Sequence, residues 1–91
     1  MLVKFFATYR EITKCASCEV VAPLDLSALF SELGLRFGPA LPDRLLSDDG
    51  QELAWDAVVL VNGRHIMHLA GLKTPLRESD TVAIFPLMAG G

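Results

Sequence analysis

The unbroken apolar run Ala57–Val61 is followed directly by Asn62-Gly63. This combination of an apolar run and a turn sequence constrains the fold more than any other feature of the sequence. Such a run is typical of a buried β-strand, so we expect a central strand that is covered, or nearly covered, on both faces. Asn-Gly favours a two-residue hairpin turn, because both central residues of a type I′ turn need positive φ. The chain must therefore turn back, and Arg64–Met67 is predicted to be the short returning strand.

Three further segments have the β-branched and aromatic content of strands. They are Leu2–Tyr9, Cys18–Ala22 and Thr81–Phe85. The short link over residues 10–17 predicts that the first two strands form an antiparallel hairpin. Pro86 is expected to end the last strand, because proline has no N–H group to donate to a ladder.

One main helix is predicted to begin after Asp25, a suitable N-cap, and to extend to about Phe37, before Gly38-Pro39. Its apolar residues recur at helical spacing, so they form a single face that must be buried against a sheet. That face consists of Leu26, Leu29, Phe30, Leu33 and Phe37.

The order of elements is ββαβββ, which predicts an α+β fold with one main helix on a mixed sheet of four to five strands. This is the β-grasp, or ubiquitin-like, arrangement. We expect residues 1–86 to form the domain and 87–91 to form a flexible C-terminal tail. Residues 40–56 are expected to be irregular, with a helical turn near Pro42–Leu46 and with Trp55 as a partly buried anchor.

Charge and hydropathy argue against several classes of partner. The net charge is −3, and the cations are not clustered as nucleic-acid binding requires. No stretch approaches the roughly 18 apolar residues of a membrane span, and no signal-peptide run is present. We therefore expect a cytoplasmic protein that binds neither nucleic acid nor membrane.

The sequence ends in Gly90-Gly91, and a C-terminal carboxylate is ionised at neutral pH because its pKa is about 3.3–3.7. A carboxylate is a poor electrophile until an enzyme joins it to the phosphate of ATP, after which sulfide, a thiol or an amine can displace AMP. Glycine has no side chain and can enter a narrow catalytic channel. The predicted chemical group is therefore the carboxylate of Gly91, with Gly90 beside it; a frayed terminus without a role is the alternative.

Leu87 and Met88 lie beyond the predicted core and are expected to contact a partner protein, together with Pro86, Ala89 and Phe5. For Phe5, burial in the core is the alternative. We expect no metal site. A lone CxxC and an HxxH pair could form a zinc site only if two distant hairpins met, and their spacing is not that of a zinc finger. These residues are Cys15, Cys18, His65 and His68.

Three blocks and the ending resemble the small subunit of molybdopterin synthase. The blocks are Val3–Glu11, Val59–Arg64 and Thr74–Pro86, and the ending Pro86–Gly91 matches that family's Phe-Pro-x-x-x-Gly-Gly in type and spacing. The resemblance covers nearly the whole chain and is weakest from about 36 to 56. The ending is its most specific part.

The resemblance implies a carrier subunit rather than a complete enzyme, with no tightly bound cofactor. An E1-like adenylating enzyme would use ATP to activate Gly91, which would become a thiocarboxylate. The tail would then enter the large synthase subunit and donate sulfur to a pterin precursor. A thiamine-pathway sulfur carrier, and a ubiquitin-like modifier linked to lysines through Gly91, share this ending and remain alternatives. A β-grasp binding module without tail chemistry is a third.

Overall fold

The computed structural model describes residues 1–87 and contains one mixed, five-stranded sheet in the order β2-β1-β5-β3-β4. The strands are β1 Leu2–Phe5, β2 Ser17–Glu19, β3 Ala57–Val61, β4 Arg64–His65 and β5 Thr81–Pro86. The helices are α1 Thr8–Thr13, α2 Leu26–Phe37 and α3 Ala40–Leu45, and two 3-10 turns cover Ile66–His68 and Gly71–Lys73. The predicted α+β, β-grasp architecture is confirmed.

The two terminal strands are neighbours in the middle of the sheet. β1 and β5 are parallel, with Leu2 opposite Thr81 and Phe5 opposite Ile84, whereas every other pairing between named strands is antiparallel. The predicted antiparallel hairpin of the first two strands is therefore confirmed, although β2 covers Ser17–Glu19 rather than Cys18–Ala22.

The main helix α2 begins and ends where the sequence predicts. The side chain of Asp25 accepts a hydrogen bond from the backbone N–H of Ala28 at 2.9 Å, which satisfies one of the free donors at the helix N-terminus. Helix α3 crosses α2 closely, because a Cβ atom built on Gly34 would lie 3.0 Å from Cγ of Pro42. A side chain at position 34 would therefore require the ring of Pro42 to move by a few tenths of an ångström.

The N-terminal segment differs from the prediction. β1 ends at Phe5, Ala7 has φ 52°, and a helix over Thr8–Thr13 replaces the end of the expected strand and occupies the first half of the expected connection. The aromatic content around Tyr9 suggested a longer strand. Tyr9 instead reaches the core from the helix and is fully buried there. Burial of this one large side chain outweighs the local β propensity.

The hairpin turn is confirmed, since Asn62 has φ 52° and Gly63 has φ 84°. The side chain of Asn62 also donates to Asp80 Oδ1 at 2.8 Å and accepts from the backbone N–H of Thr81 at 3.0 Å, which fixes the turn beside the start of β5. The returning strand stops at His65 rather than at residue 67. His65 Nδ1 accepts the backbone N–H of Met67, and this bond starts a 3-10 turn.

Among residues 1–87, no helix combines the length and hydrophobicity that crossing a bilayer requires.

Candidate functional site

The sheet has one face that packs on the helices. Side chains alternate along each strand, and the inward set of β1, β3 and β5 is almost fully buried. Phe5 belongs to this set with 0% exposure, so the prediction that it faces a partner is wrong and the core alternative is right. Pro86 is also buried, opposite Ala57, so its assignment to a partner surface is corrected as well.

Within residues 1–87, the other face of the sheet carries no helix; it is largely apolar on β3 and β5, and Lys4 of β1 is exposed beside Ala83. Val58 and Leu60 of β3 are partly buried, so this strand is fully covered on its inward face and incompletely covered on the other. Leu60 lies opposite both Ala83 and His65, and Val58 lies opposite Phe85. We call this surface the open face; it consists of Phe6, Val58, Leu60, Ala83 and Phe85.

Two aromatic rings define one edge of the open face. Phe6 is 38% exposed and meets Phe85 edge to face, with ring centroids 6.0 Å apart. The guanidinium of Arg10 lies 5.7 Å from the centre of the Phe6 ring, and its Nε donates to the backbone oxygen of Phe5. The result is an apolar surface with a cation at its rim, which is the common composition of a protein-docking surface.

The chain leaves the sheet at a fixed point next to this face. The backbone N–H of Leu87 donates to the carbonyl oxygen of Asp56 at 2.7 Å, which continues the β3–β5 pairing by one residue. The Asp56 carboxylate is held in turn by Arg44 of α3, with Nη1 and Oδ2 2.8 Å apart, and it raises the pKa of that guanidinium. The exit is therefore tied to both the sheet and a helix.

Leu87 is 58% exposed, as expected of a residue beyond the core, and its role in partner binding stays a prediction. The last four residues, 88–91, lie outside the described residues. They include the predicted chemical group, Gly90 and Gly91, and two of the predicted partner residues, Met88 and Ala89. Four residues extend at most about 14 Å from Leu87. A protein that takes Gly91 into its active site must therefore come close to Leu87.

The cysteine and histidine pairs lie too far apart for a shared site. Cys18 is on β2 at one edge of the sheet, and His65 is on β4 at the opposite edge. Burial raises the pKa of the Cys18 thiol, an effect that Arg36 opposes. Within residues 1–87, no group of three or more His, Cys, Asp or Glu side chains is placed to hold a metal ion.

Sequence reasoning missed the open face and Trp55. The prediction that Trp55 is a partly buried anchor is wrong, because the side chain is 88% exposed. The signal for the open face was present in the alternation of β1 and β5, where apolar residues occupy both faces. The geometry joins an apolar docking surface to a fixed exit for the C-terminal residues, and this arrangement can present the chain end to a second protein.

A family model, related sequences and a solved structure all match this chain over half of its length or more. The model of the ThiS family matches residues 3–91. Small archaeal modifier protein 3 of Haloferax volcanii is 34% identical over 91 residues, which cover 98% of this chain and 96% of that protein. A putative sulfur carrier protein of Archaeoglobus fulgidus is 41% identical over 49 residues, 54% of each chain. The solution structure of small archaeal modifier protein 1 from Methanosarcina acetivorans is 30% identical, with a TM-score of 0.81 and coverage of 99% of this chain and 94% of that one.

Proposed function

The chain belongs to the ThiS family, and on that premise we propose that it carries sulfur as a thiocarboxylate on Gly91. One observation from the described residues carries the proposal: the open face adjoins the exit at Leu87, which is fixed by the bond to Asp56. A scaffold of this kind docks through its sheet and places the following residues in a partner's active site. We propose that residues 87–91 act as the delivered tail.

The chemistry requires two partner-driven steps. A carboxylate oxygen of Gly91 attacks the α-phosphate of ATP on an E1-like adenylating enzyme, and pyrophosphate leaves. Sulfide, as HS⁻, then attacks the acyl carbon, AMP leaves with the bonding electrons, and the product loses its proton to become the thiocarboxylate. The described part of the chain contributes docking and orientation, which lower the entropic cost of bringing the reacting groups together. This protein needs no cofactor of its own for these steps.

We propose the large subunit of molybdopterin synthase as the recipient of the sulfur. The support is the resemblance of Val59–Arg64, of Thr74–Pro86 and of the ending to that family's small subunit. The sulfur would be transferred to a pterin precursor to build a dithiolene. A thiamine-pathway recipient would use the same tail and the same activation, so it differs only in the protein that accepts the loaded chain.

Intact-mass spectrometry tests the sulfur-carrier proposal. The purified protein is incubated with ATP, Mg²⁺, the adenylating enzyme of the same organism and a sulfide source. We expect a mass gain equal to the difference between one sulfur and one oxygen atom, located by fragmentation at Gly91. Gly91→Ala is the matched variant, and we expect it to fold normally and to load poorly. An unloaded wild-type chain, or normal loading of the variant, would refute the proposal.

A second function is favoured by one comparison, since the relative that matches nearly the whole chain is named a modifier protein. In this case a lysine amine of a target displaces AMP and forms an isopeptide bond to Gly91. Conjugates of higher mass that disappear when Gly91 is deleted would support this function. Loaded thiocarboxylate without any conjugate in the cell would favour the carrier function.

A further inference from the structure

A second apolar surface lies on the other side of the chain exit. A groove of about 930 Å³ runs between the segment that precedes β3 and the two 3-10 turns that follow β4. Its most exposed walls are large apolar side chains: Trp55 is 88% exposed, Met67 71% and Leu87 58%. We call this surface the Trp55 groove. Tryptophan and methionine are enriched at protein interfaces, and tryptophan is the residue most typical of binding hot spots.

The wall that carries Trp55 is held in place by backbone hydrogen bonds. The N–H of Ala54 donates to Leu45 of α3 at 2.7 Å, and the N–H of Ala57 donates to Ala54 at 3.0 Å. Leu53 also forms an isolated bridge with Leu46. The groove is thus formed before any partner binds, and little ordering entropy remains to be lost on docking.

The opposite wall is equally constrained. Met67 is positioned by its backbone bond to His65 Nδ1, and the second 3-10 turn is closed by Thr74, whose hydroxyl donates to the carbonyl oxygen of Gly71 at 2.7 Å. An exposed tryptophan and an exposed methionine therefore line one groove from two fixed segments.

The groove continues into the surface already assigned to docking. Val58 contributes to the groove and to the open face, and His65 lines the groove while lying opposite Leu60. Leu87, the last described residue before the chemical group, forms part of the groove wall. One protein can cover the open face, the exit and the groove together.

We propose that the Trp55 groove binds an apolar segment of the E1-like adenylating enzyme that acts on Gly91, as a second contact beside the open face. The inference rests on the proposed function. The occupant follows from distance: Gly91 extends at most about 14 Å from Leu87, so the protein that holds Gly91 is the one within reach of the groove. A second copy of this chain on the groove would cover Leu87 and obstruct that approach.

The experiment measures binding of the full chain to the adenylating enzyme of the same organism by isothermal titration calorimetry. Trp55→Ala and Met67→Ala remove the two exposed walls. Leu35→Ala is the matched control, because Leu35 is also 88% exposed but lies on α2 and does not line the groove. We expect Trp55→Ala to raise Kd about tenfold or more, Met67→Ala to raise it less, and Leu35→Ala to leave it unchanged.

Thermal unfolding, sulfur loading and light scattering distinguish loss of partner binding from loss of fold, from failure of the proposed function and from self-association. Thermal unfolding of all three variants should match the wild type, since the side chains removed are exposed. Wild-type loading with sulfur tests the proposed function alone, so normal loading with an unchanged Kd for Trp55→Ala overturns only the groove inference. Light scattering that shows a wild-type dimer dispersed by Trp55→Ala would assign the groove to a second copy and would also overturn the inference.

Discussion

Leu60→Asp is the sharpest test of the open face, because its neighbour Val59 provides an internal comparison on the same strand. Leu60 is half-buried and its side chain faces away from the helices, whereas Val59 has 0% exposure. Removing half the burial of a leucine costs about 1 kcal/mol, and placing aspartate in a strand costs up to about 1 kcal/mol more. A domain of this size has a free energy of unfolding of about 5–15 kcal/mol, so Leu60→Asp should remain folded.

Although Leu60→Asp should stay folded, we expect it to lose most of its affinity for the partner protein. A new carboxylate on the open face would have to lose its water against an apolar partner, and the lost contact of a central leucine adds to that cost. We expect a total near 3 kcal/mol, which corresponds to a Kd for the adenylating enzyme that is about 100-fold higher. Val59→Asp should instead unfold the protein, because it buries a charge without a partner.

Calorimetric titration gives Kd, and circular dichroism gives the midpoint of thermal unfolding for both variants. We expect Leu60→Asp to unfold about 10 °C below the wild type and to lose binding, while Val59→Asp should show no cooperative transition. An unchanged Kd for Leu60→Asp would refute the assignment of the open face as the docking surface. A complete loss of fold in Leu60→Asp would show that this side chain belongs to the core.

Three other substitutions test the scaffold and the exit. Gly34→Ala should lower the free energy of unfolding by about 1 kcal/mol despite alanine's better helix propensity, because the new Cβ presses on Pro42; replacing Pro42 with alanine in the same chain should restore it in urea titrations. Hydrogen bonds from Asn62 and from the backbone of Arg77 lower the pKa of Asp80, so its stabilising effect is present above about pH 4 and is lost as the pH falls through the lowered value. In the wild type, the midpoint of thermal unfolding should therefore fall as the pH is lowered below about 4. In Asp80→Asn this fall should be smaller, because the side chain at position 80 no longer titrates. Leu87→Asp should weaken partner binding by about tenfold with an unchanged midpoint, and equal losses of binding and midpoint would assign Leu87 to the core.

Elements with strong local signals were predictable from the sequence. Asp25 caps α2 through a bond to a residue three positions along the chain, and Asn62-Gly63 determines its own turn. Neither feature depends on a distant part of the chain, so a reading of neighbouring residues suffices.

Features that depend on distant contacts were not predictable. The run Ala57–Val61 is apolar at every position, so its composition does not reveal that one face is incompletely covered. Strand alternation predicts that the adjacent Phe5 and Phe6 lie on opposite faces, but it does not say which face the helices cover. Trp55 was predicted to be a partly buried anchor, because tryptophan is highly buried on average, and only the tertiary arrangement shows that it lines a groove.

The prediction that Gly91 carries the covalent chemistry rests on the ending alone and on residues outside the described part of the chain, so it stays a prediction. The docking surfaces could not be predicted, since they combine β1, β3, β5 and the segments around β4. Sequence reasoning therefore predicted a chemical group, and the structure added two exposed apolar surfaces beside the point where the described chain ends.

The parallel pairing of β1 with β5 also has a mechanical consequence. The chain begins at one end of this strand pair and leaves Pro86 at the other, so a pull on the two termini acts along the strands. The hydrogen bonds between the registered residues then resist in shear and share the force, instead of opening one at a time. An enzyme that draws the C-terminus into its channel would thus strain the most resistant direction of the molecule, and the domain would keep its shape while its end is pulled.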